Sequence, residues 1–226
     1  MKQSMFEKLQ CLPLLIGLSV NDLMDIVEKV KFEFNKYPED FTIVSQGDKC
    51  DKLIYILSGE LCVSKIDGNQ SIYLYEYFNR PSYVIEPQNM WGMRQKYDRS
   101  YTFMSEGSTC VIEKKQVNYL MSKYDIIKTN FLNMICNKLQ SSTNALTQQM
   151  PSNTEEKIIH FLKSNKVGFY GWTEIKAKMQ QLANHITDTR LNVSKVLNKW
   201  QSKGMIEIRR GGIVIYDDMK LIDKQN

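Results

Sequence analysis

Histidine, paired cysteine spacing and long apolar runs are what this sequence lacks. It has only two histidines, His160 and His185, too few and too far apart for a histidine-based metal or catalytic cluster. Its five cysteines (Cys11, Cys50, Cys62, Cys110, Cys136) are scattered and form no C-x-x-C, which excludes a disulfide framework and a zinc site of ordinary spacing. They are expected to serve as small buried hydrophobes in a reducing compartment, with Cys11 and Cys136 the two candidate redox sensors. No apolar run approaches the roughly 18 residues of a membrane span, and the opening MKQSMFEKLQ has no signal-peptide core. The expected location is the cytoplasm, with no membrane partner. No nucleophile–base pair, metal spacing or phosphate-cradling loop appears, so the chain is not expected to be an enzyme.

What is present is unevenly charged. The chain of 226 residues carries a net charge of +5. Residues 151–226 hold 13 Lys and Arg against 8 Asp and Glu, so the whole excess lies there and residues 1–150 are neutral. A basic module joined to a neutral one points to a polyanionic partner.

Hydrophobic periodicity divides the chain in three. Residues 5–30 have helical spacing (Phe6, Leu9, Leu12, then Leu23, Ile26, Val27, Val30). Residues 31–113 hold short β-rich runs, KFEFNKY, FTIVSQ, LIYIL, ELCVSKI, SIYLYEY, YTFMSE and TCVIE, between turn signals, which predicts an antiparallel sandwich or jelly roll. Asp67-Gly68-Asn69 marks a hairpin. From Lys115 to Gln149 the spacing predicts one long helix with two apolar stripes. Val117, Leu120, Tyr124, Ile127, Phe131 and Met134 form one; Leu132, Ile135, Leu139 and Leu146 form the other. One small roll cannot cover both, so the second is expected to meet a partner copy. Charged residues at Ile127 and Phe131 are expected to give monomers. Pro151-Ser152-Asn153 ends the helix.

The last third reads as helix from Thr154, helix over 173–186, a short turn at Thr187-Asp188, helix from Thr189, then KGMIEIRRGGIVIYD as strand, turn and strand. That is the order of a winged helix-turn-helix. In the helix after the turn, Val193, Val196, Leu197 and Trp200 make one apolar face. The opposite face carries Leu191, Ser194, Lys195 and Asn198, flanked by Arg190, Asn192 and Lys199. Such a face suits the major groove of duplex DNA. Arg190 can donate two hydrogen bonds to guanine, Asn192 and Asn198 can serve adenine, and Leu191 can touch a thymine methyl. Ser194, Lys195 and Lys199 can bond bases or phosphates. Thr189 and the first helical N–H groups can hold a phosphate. Arg209 and Arg210 lie at the wing tip.

With these stretches in view, the chain resembles the cyclic-AMP receptor protein/FNR family of bacterial transcription regulators. The resemblance rests on Gln46-Gly47-Asp48, LIYILSGEL (53–61), the central helix and LANHITDTRLNVSKVLNKWQSKGMIEIRRGGIVI (182–215). It implies an α+β chain: an N-terminal cyclic-nucleotide-binding-like jelly roll with its helices (1–114), a dimerisation helix (115–150) and a DNA-binding winged helix-turn-helix (151–226). It also implies that an effector reorients the DNA-binding domains, and that Arg190, Lys195 and Gln180 contact bases or phosphates. The family position matching Leu191 is often a glutamate that reads cytosine, so the operator is expected to differ here. Members that bind cyclic AMP use a Gly-Glu-Leu element followed by Arg-Ser or Arg-Thr. The counterparts here are Glu86 and Arg99-Ser100, but Ile85 replaces the glycine, Pro87 removes an N–H, and thirteen positions separate Glu86 from Arg99. Ser141 and Ser142 fall where members reach the adenine from the central helix. No N-terminal cysteine cluster for an iron–sulfur centre is present.

The expected function is therefore a homodimeric, sequence-specific regulator binding a pseudo-palindromic operator, with RNA polymerase as a further partner. Its expected effector is a small anionic or nucleotide-like molecule other than standard cyclic AMP, and no metal is expected. The rival reading is an effector-binding module that acts through protein contact.

Overall fold

The computed structural model describes residues 5–66, 73–79, 82–147, 151–165 and 172–216. The N-terminal segment forms α1 (Met5–Gln10), a 3-10 turn at Pro13–Leu15 and α2 (Val20–Lys29). Ser19 caps α2, its Oγ accepting from the Asp22 N–H at 3.1 Å, and Leu23 and Ile26 turn inward.

Eight strands follow: β1 (Glu33–Tyr37), β2 (Thr42–Val44), β3 (Lys52–Ser58), β4 (Leu61–Ile66), β5 (Tyr73–Phe78), β6 (Tyr83–Ile85), β7 (Ser100–Phe103) and β8 (Gly107–Glu113). Seven lie in the runs read from sequence. The eighth, β6, is only three residues long and its alternation was too short to stand out. Asp67-Gly68-Asn69 lies outside the described residues, but its flanking strands pair antiparallel from Ile66↔Tyr73 to Leu61↔Phe78. One sheet runs β1-β8-β3-β6. In the other, Leu61↔Phe103 and Val63↔Tyr101 align β4 and β7, so period-two alternation puts these apolar side chains on one inner face. At the β3–β4 turn and the start of β8 the backbone comes close. A Cβ on Gly107 would stand 2.1 Å from the Phe103 ring, and one on Gly59 2.8 Å from Gly107 Cα.

The predicted single central helix is two, α3 (Lys114–Lys123) and α4 (Asp125–Thr147). Tyr124 between them is extended, at φ −123° and ψ 108°. The tether explains the break: the Tyr124 hydroxyl and Lys123 Nζ both donate to Asp25 of α2. The bend lets both halves of the first stripe reach the roll, so Val117, Leu120, Ile127 and Phe131 are all buried in its core. Asn130 Nδ2 fastens α4 by donating to the carbonyls of Leu14 (3.1 Å) and Ile16 (2.8 Å).

The C-terminal part comprises α5 (Thr154–Asn165), β9 (Trp172–Lys176), α6 (Met179–His185), α7 (Arg190–Ser202), β10 (Ile206–Arg209) and β11 (Gly212–Ile215). The helix expected over 173–186 is therefore a strand followed by a shorter helix. Thr173 and Ile175 alternate inward in β9, and pairing on both edges overrides the helical spacing of Ile175 with Met179. One edge of β9 pairs with β11, Ile213↔Ile175. The other pairs with β5 of the roll, from Tyr73↔Lys176 to Tyr77↔Trp172. One seven-stranded sheet, β10-β11-β9-β5-β4-β7-β2, thus runs from the wing into the roll. No described helix is long and apolar enough to cross a membrane.

Candidate nucleic-acid interface

The inner face of α7 holds it to the body. Val193, Leu197 and Trp200 are at most 1% exposed, each buried side chain contributing about 1.5–3 kcal/mol. Trp200 also donates its indole N–H to Glu155 Oε1 of α5 at 2.9 Å. Its buried polar atom is thereby satisfied.

The opposite face is open. Arg190, Leu191, Lys195 and Asn198 are exposed and Ser194 is half-buried; Leu191 is 64% exposed. Asn198 Nδ2 donates to Ser194 Oγ at 3.4 Å, a contact weak enough to yield to a base edge. Gln180 on α6 is exposed and donates to Asn184 Oδ1 at 2.8 Å. Two flanking candidates are engaged elsewhere. Lys199 Nζ lies 2.9 Å from Glu155 Oε2, directed at α5. Asn192 is half-buried and donates to Asp188 Oδ1 at 2.9 Å, so it serves the turn.

That turn centres on Asp188, whose role no periodicity in the sequence marks. Its Oδ1 accepts from the Thr189 N–H (2.7 Å) as well as from Asn192. Its Oδ2 accepts from Thr154 Oγ1 (2.9 Å) and Lys157 Nζ (3.2 Å). Lys157 also reaches the Thr187 carbonyl at 3.0 Å. These donors, Asn192 first, hold the Asp188 carboxyl well below the usual carboxylate range. Thr189 caps α7, its Oγ1 accepting from the Asn192 N–H at 3.2 Å. The N-terminus expected to hold a phosphate therefore already spends the Thr189 and Asn192 N–H groups on its own side chains. Thr187, at φ 53°, sits in the left-handed region that a β-branched residue adopts only under constraint. The link from Asp188 to Thr154 spans 34 positions and has no periodic signal in sequence.

On the wing, Arg209 forks onto Glu207 through Nε (3.0 Å) and Nη2 (2.9 Å), a pairing that brings the glutamate down to about 2. The pair is solvent-exposed and so easily exchanged for a phosphate. Arg210 is exposed at the turn.

Inside the roll, Glu86 is 1% exposed. Its Oε2 accepts from the Asp98 N–H (2.6 Å) and Asn89 Nδ2 (2.8 Å), and its Oε1 from the Tyr101 hydroxyl (3.1 Å). Arg99 Nη1 approaches Oε1 at 3.8 Å. Burial raises the carboxyl pKa of Glu86 against the Asp98 bond and the Arg99 charge. Tyr83, Tyr101 and Glu76 are buried beside them, and burial together with the Arg99 charge lowers the ammonium pKa of Lys65. Of the candidate effector residues, the structure brings Glu86 and Arg99 together but not Ser100, whose Oγ accepts from the Gln46 N–H at 2.9 Å. Ser141 and Ser142 fall on the part of α4 whose side chains lie outside the described residues. Glu76, Lys65 and Tyr101 were missed because a charged or phenolic residue on a strand reads as solvent-facing until register assigns the face.

Of the cysteines, Cys50, Cys62 and Cys110 are buried and Cys11 and Cys136 exposed. Burial pushes Cys50 up to about 11 and Cys110 up to about 12, which keeps those thiols protonated and unreactive.

Comparison with known protein families matches two segments of the chain. Residues 34–124 match the cyclic nucleotide-binding domain and residues 156–223 the Crp-like helix-turn-helix domain. A search of curated proteins found no match. Among solved structures, a transcriptional regulator of the crp/fnr family from Eubacterium rectale is 16% identical, with 94% of this chain and 97% of that chain covered at a TM-score of 0.54. The catabolite activator protein of Thermus thermophilus is 15% identical, with 93% and 97% covered and a TM-score of 0.51. The c-di-GMP-responsive global regulator CLP of Xanthomonas campestris is 15% identical, with 87% and 99% covered and a TM-score of 0.52. At such identities these structures establish the fold. With a cyclic nucleotide-binding domain followed along one chain by a Crp-like helix-turn-helix, the protein belongs to the cyclic-AMP receptor protein/FNR family of transcription regulators.

Proposed function

We propose that the protein is a homodimeric, sequence-specific DNA-binding regulator that reads a pseudo-palindromic operator with α7. The carrying observation is the contrast across that helix: Leu197 is 1% exposed on one side and Leu191 64% on the other. Arg190, Leu191, Ser194, Lys195 and Asn198 are the base-facing set. Gln180, Arg209 and Arg210 take phosphates, while Thr189, Asn192 and Lys199 support the domain.

The proposed dimer contact is the outer stripe of α4. Leu132 is 54% and Leu139 65% exposed, and Cys136 between them is exposed. The steps of four and three residues place all three on one seam of a parallel helix pair. Beside Leu132 lies an apolar hollow of about 440 Å³ lined by Trp91, Met121, Ser122, Lys128 and Phe131. Ile127 and Phe131, whose charged variants were expected to give monomers, are buried in the protomer's own core; charging them would unfold the roll instead. The roll is proposed to respond to a small effector other than standard cyclic AMP, because every oxygen of Glu86 is already engaged by the protein. RNA polymerase is the proposed downstream partner, and the cytoplasm the proposed location.

The test is selection of a duplex from a random-sequence pool. Recovery of an inverted repeat with half-sites about one helical turn apart supports the reading. Recovery of no preferred sequence, or binding indifferent to salt, favours a module acting through protein contact.

A further inference from the structure

We propose that the β5–β9 seam is the element that fixes the recognition helix relative to the effector roll, so that two copies present their α7 helices at a set half-site spacing. The proposal rests on the homodimeric DNA-reading function above and adds to it the means by which the roll governs the reader.

Four observations meet at this seam. First, the ladder is five residue pairs long, Tyr73↔Lys176, Leu74↔Ile175, Tyr75↔Glu174, Glu76↔Thr173 and Tyr77↔Trp172. Main-chain pairing of that length resists rotation of one domain against the other. Second, the outer face is sealed by aromatic contact. The Tyr77 and Trp172 rings stack with centroids 3.7 Å apart, and Lys176 Nζ lies over the Tyr75 ring at 4.6 Å. Third, the inner face shares its core. Leu74 belongs to the roll by sequence, yet it is buried in the cluster of the winged helix with Ile158, Ile175, Leu182 and Trp200. Fourth, the next inward residue of β5 is Glu76, buried opposite Thr173. Register sets Glu76 beside Val63, and Val63 beside Tyr101. Glu76 is also among the charges acting on Arg99. One strand therefore carries a member of the roll's polar cluster and, directly across its hydrogen bonds, the strand that supports the wing. A change at Arg99 or Glu86 reaches β9 through β5 without passing along the central helix.

The seam leaves the reading face open. Arg190, Leu191, Lys195 and Asn198 are exposed with β5 and β9 paired, so the paired arrangement is the one that reads DNA. Operators with two half-sites demand a fixed separation, and a rigid seam supplies it before DNA arrives.

The experiment compares two variants with wild type on a palindromic duplex selected by the wild-type protein, and on its isolated half-site. A lock places cysteines at the opposed pair, Tyr75→Cys with Glu174→Cys, in a Cys11→Ser, Cys62→Ser, Cys136→Ser background, and is measured oxidised and then reduced. A release variant, Tyr77→Ser with Trp172→Ser, removes the stacked pair that seals the outer face of the seam. The oxidised lock is expected to bind the palindrome as well as its reduced form. The release variant is expected to lose about tenfold or more on the palindrome, within the usual range of coupling between sites, while its half-site affinity stays at the wild-type value. A locked form that loses the palindrome while its reduced form keeps it overturns the proposal, as does a release variant whose palindrome-to-half-site ratio matches wild type. If the release variant does not fold, the oxidised and reduced lock decide alone. Glu76→Gln tests the link to the cluster by hydrogen exchange: altered protection of the β9 amides is expected, and unchanged protection contradicts the link. Failure of the underlying function looks different, since wild type itself then selects no duplex.

Discussion

Asp188 Oδ2 and Thr154 Oγ1 stand 2.9 Å apart, joining the turn before the recognition helix to the first residue of α5. The same carboxylate caps the Thr189 N–H, so one side chain sets the entry to α7 and its distance from α5. Its pKa lies below the ordinary 3.8. The folded state thus releases the proton more readily than the unfolded chain. The resulting stabilisation is complete above pH 3.8 and is lost as the pH falls through the depressed value. Asp188→Asn is expected to lower the Tm at neutral pH, and the gap from wild type is expected to close on acidification below pH 3.8. A gap that stays constant across that window contradicts the assignment.

Leu191, 64% exposed, is proposed to govern operator choice by an apolar contact. Leu191→Glu replaces a methyl-seeking side chain with an acceptor for the cytosine amino group. Repeating the duplex selection with this variant is expected to move one position per half-site from thymine to cytosine, with a discrimination of about 1–3 kcal/mol. An unchanged selected sequence means that Leu191 does not face a base.

The proposed dimer seam is tested by Leu132→Asp with Leu139→Asp. Both side chains are exposed in the protomer, so the roll is expected to keep its stability while sedimentation shows monomers. Cys136 supplies a second reading. On a parallel seam the two copies' thiols face each other, and mild oxidation of wild type is expected to give a covalent dimer that Cys136→Ser does not form. A dimer that survives both aspartates places the contact elsewhere.

The effector roll is tested by heat. A ligand at a hundredfold excess over its Kd stabilises the native state by about 2.7 kcal/mol. Saturating cyclic AMP is expected to leave the Tm unchanged, because Glu86 already accepts from Asp98, Asn89 and Tyr101. A rise abolished by Arg99→Ala would show that cyclic AMP displaces those contacts.

How far the sequence foretold these features follows from the physics of each. Alternation and turn residues marked seven of the eight roll strands, because each strand buries one face and period two is then written along it. The core face of α7 was equally plain in Val193, Leu197 and Trp200. The break at Tyr124 was hidden because the stripe from Val117 to Phe131 keeps helical spacing across it, and the tether to Asp25 lies 99 positions away. β9 was read as helix because Ile175 stands four residues before Met179, and its partner β5 belongs to the other domain. Exposed cations were read correctly as charge but not as partners. Lys199 belongs to Glu155 and Arg209 to Glu207, pairings that only folding creates. Glu86 and Arg99 were legible through resemblance, whereas Glu76 and Lys65 became visible only with strand register.

The measurement closest to the central claim is binding of wild type and Arg190→Ala to the selected duplex across a salt series. Wild-type affinity is expected to fall by about 10³–10⁵ between 50 and 200 mM salt for a dimer neutralising some 6–10 phosphates. Arg190→Ala is expected to cost about 1–3 kcal/mol and to relax preference at one base pair in each half-site. Affinity that ignores salt, or an Arg190→Ala loss that is equal on every sequence, would contradict a recognition helix reading the major groove.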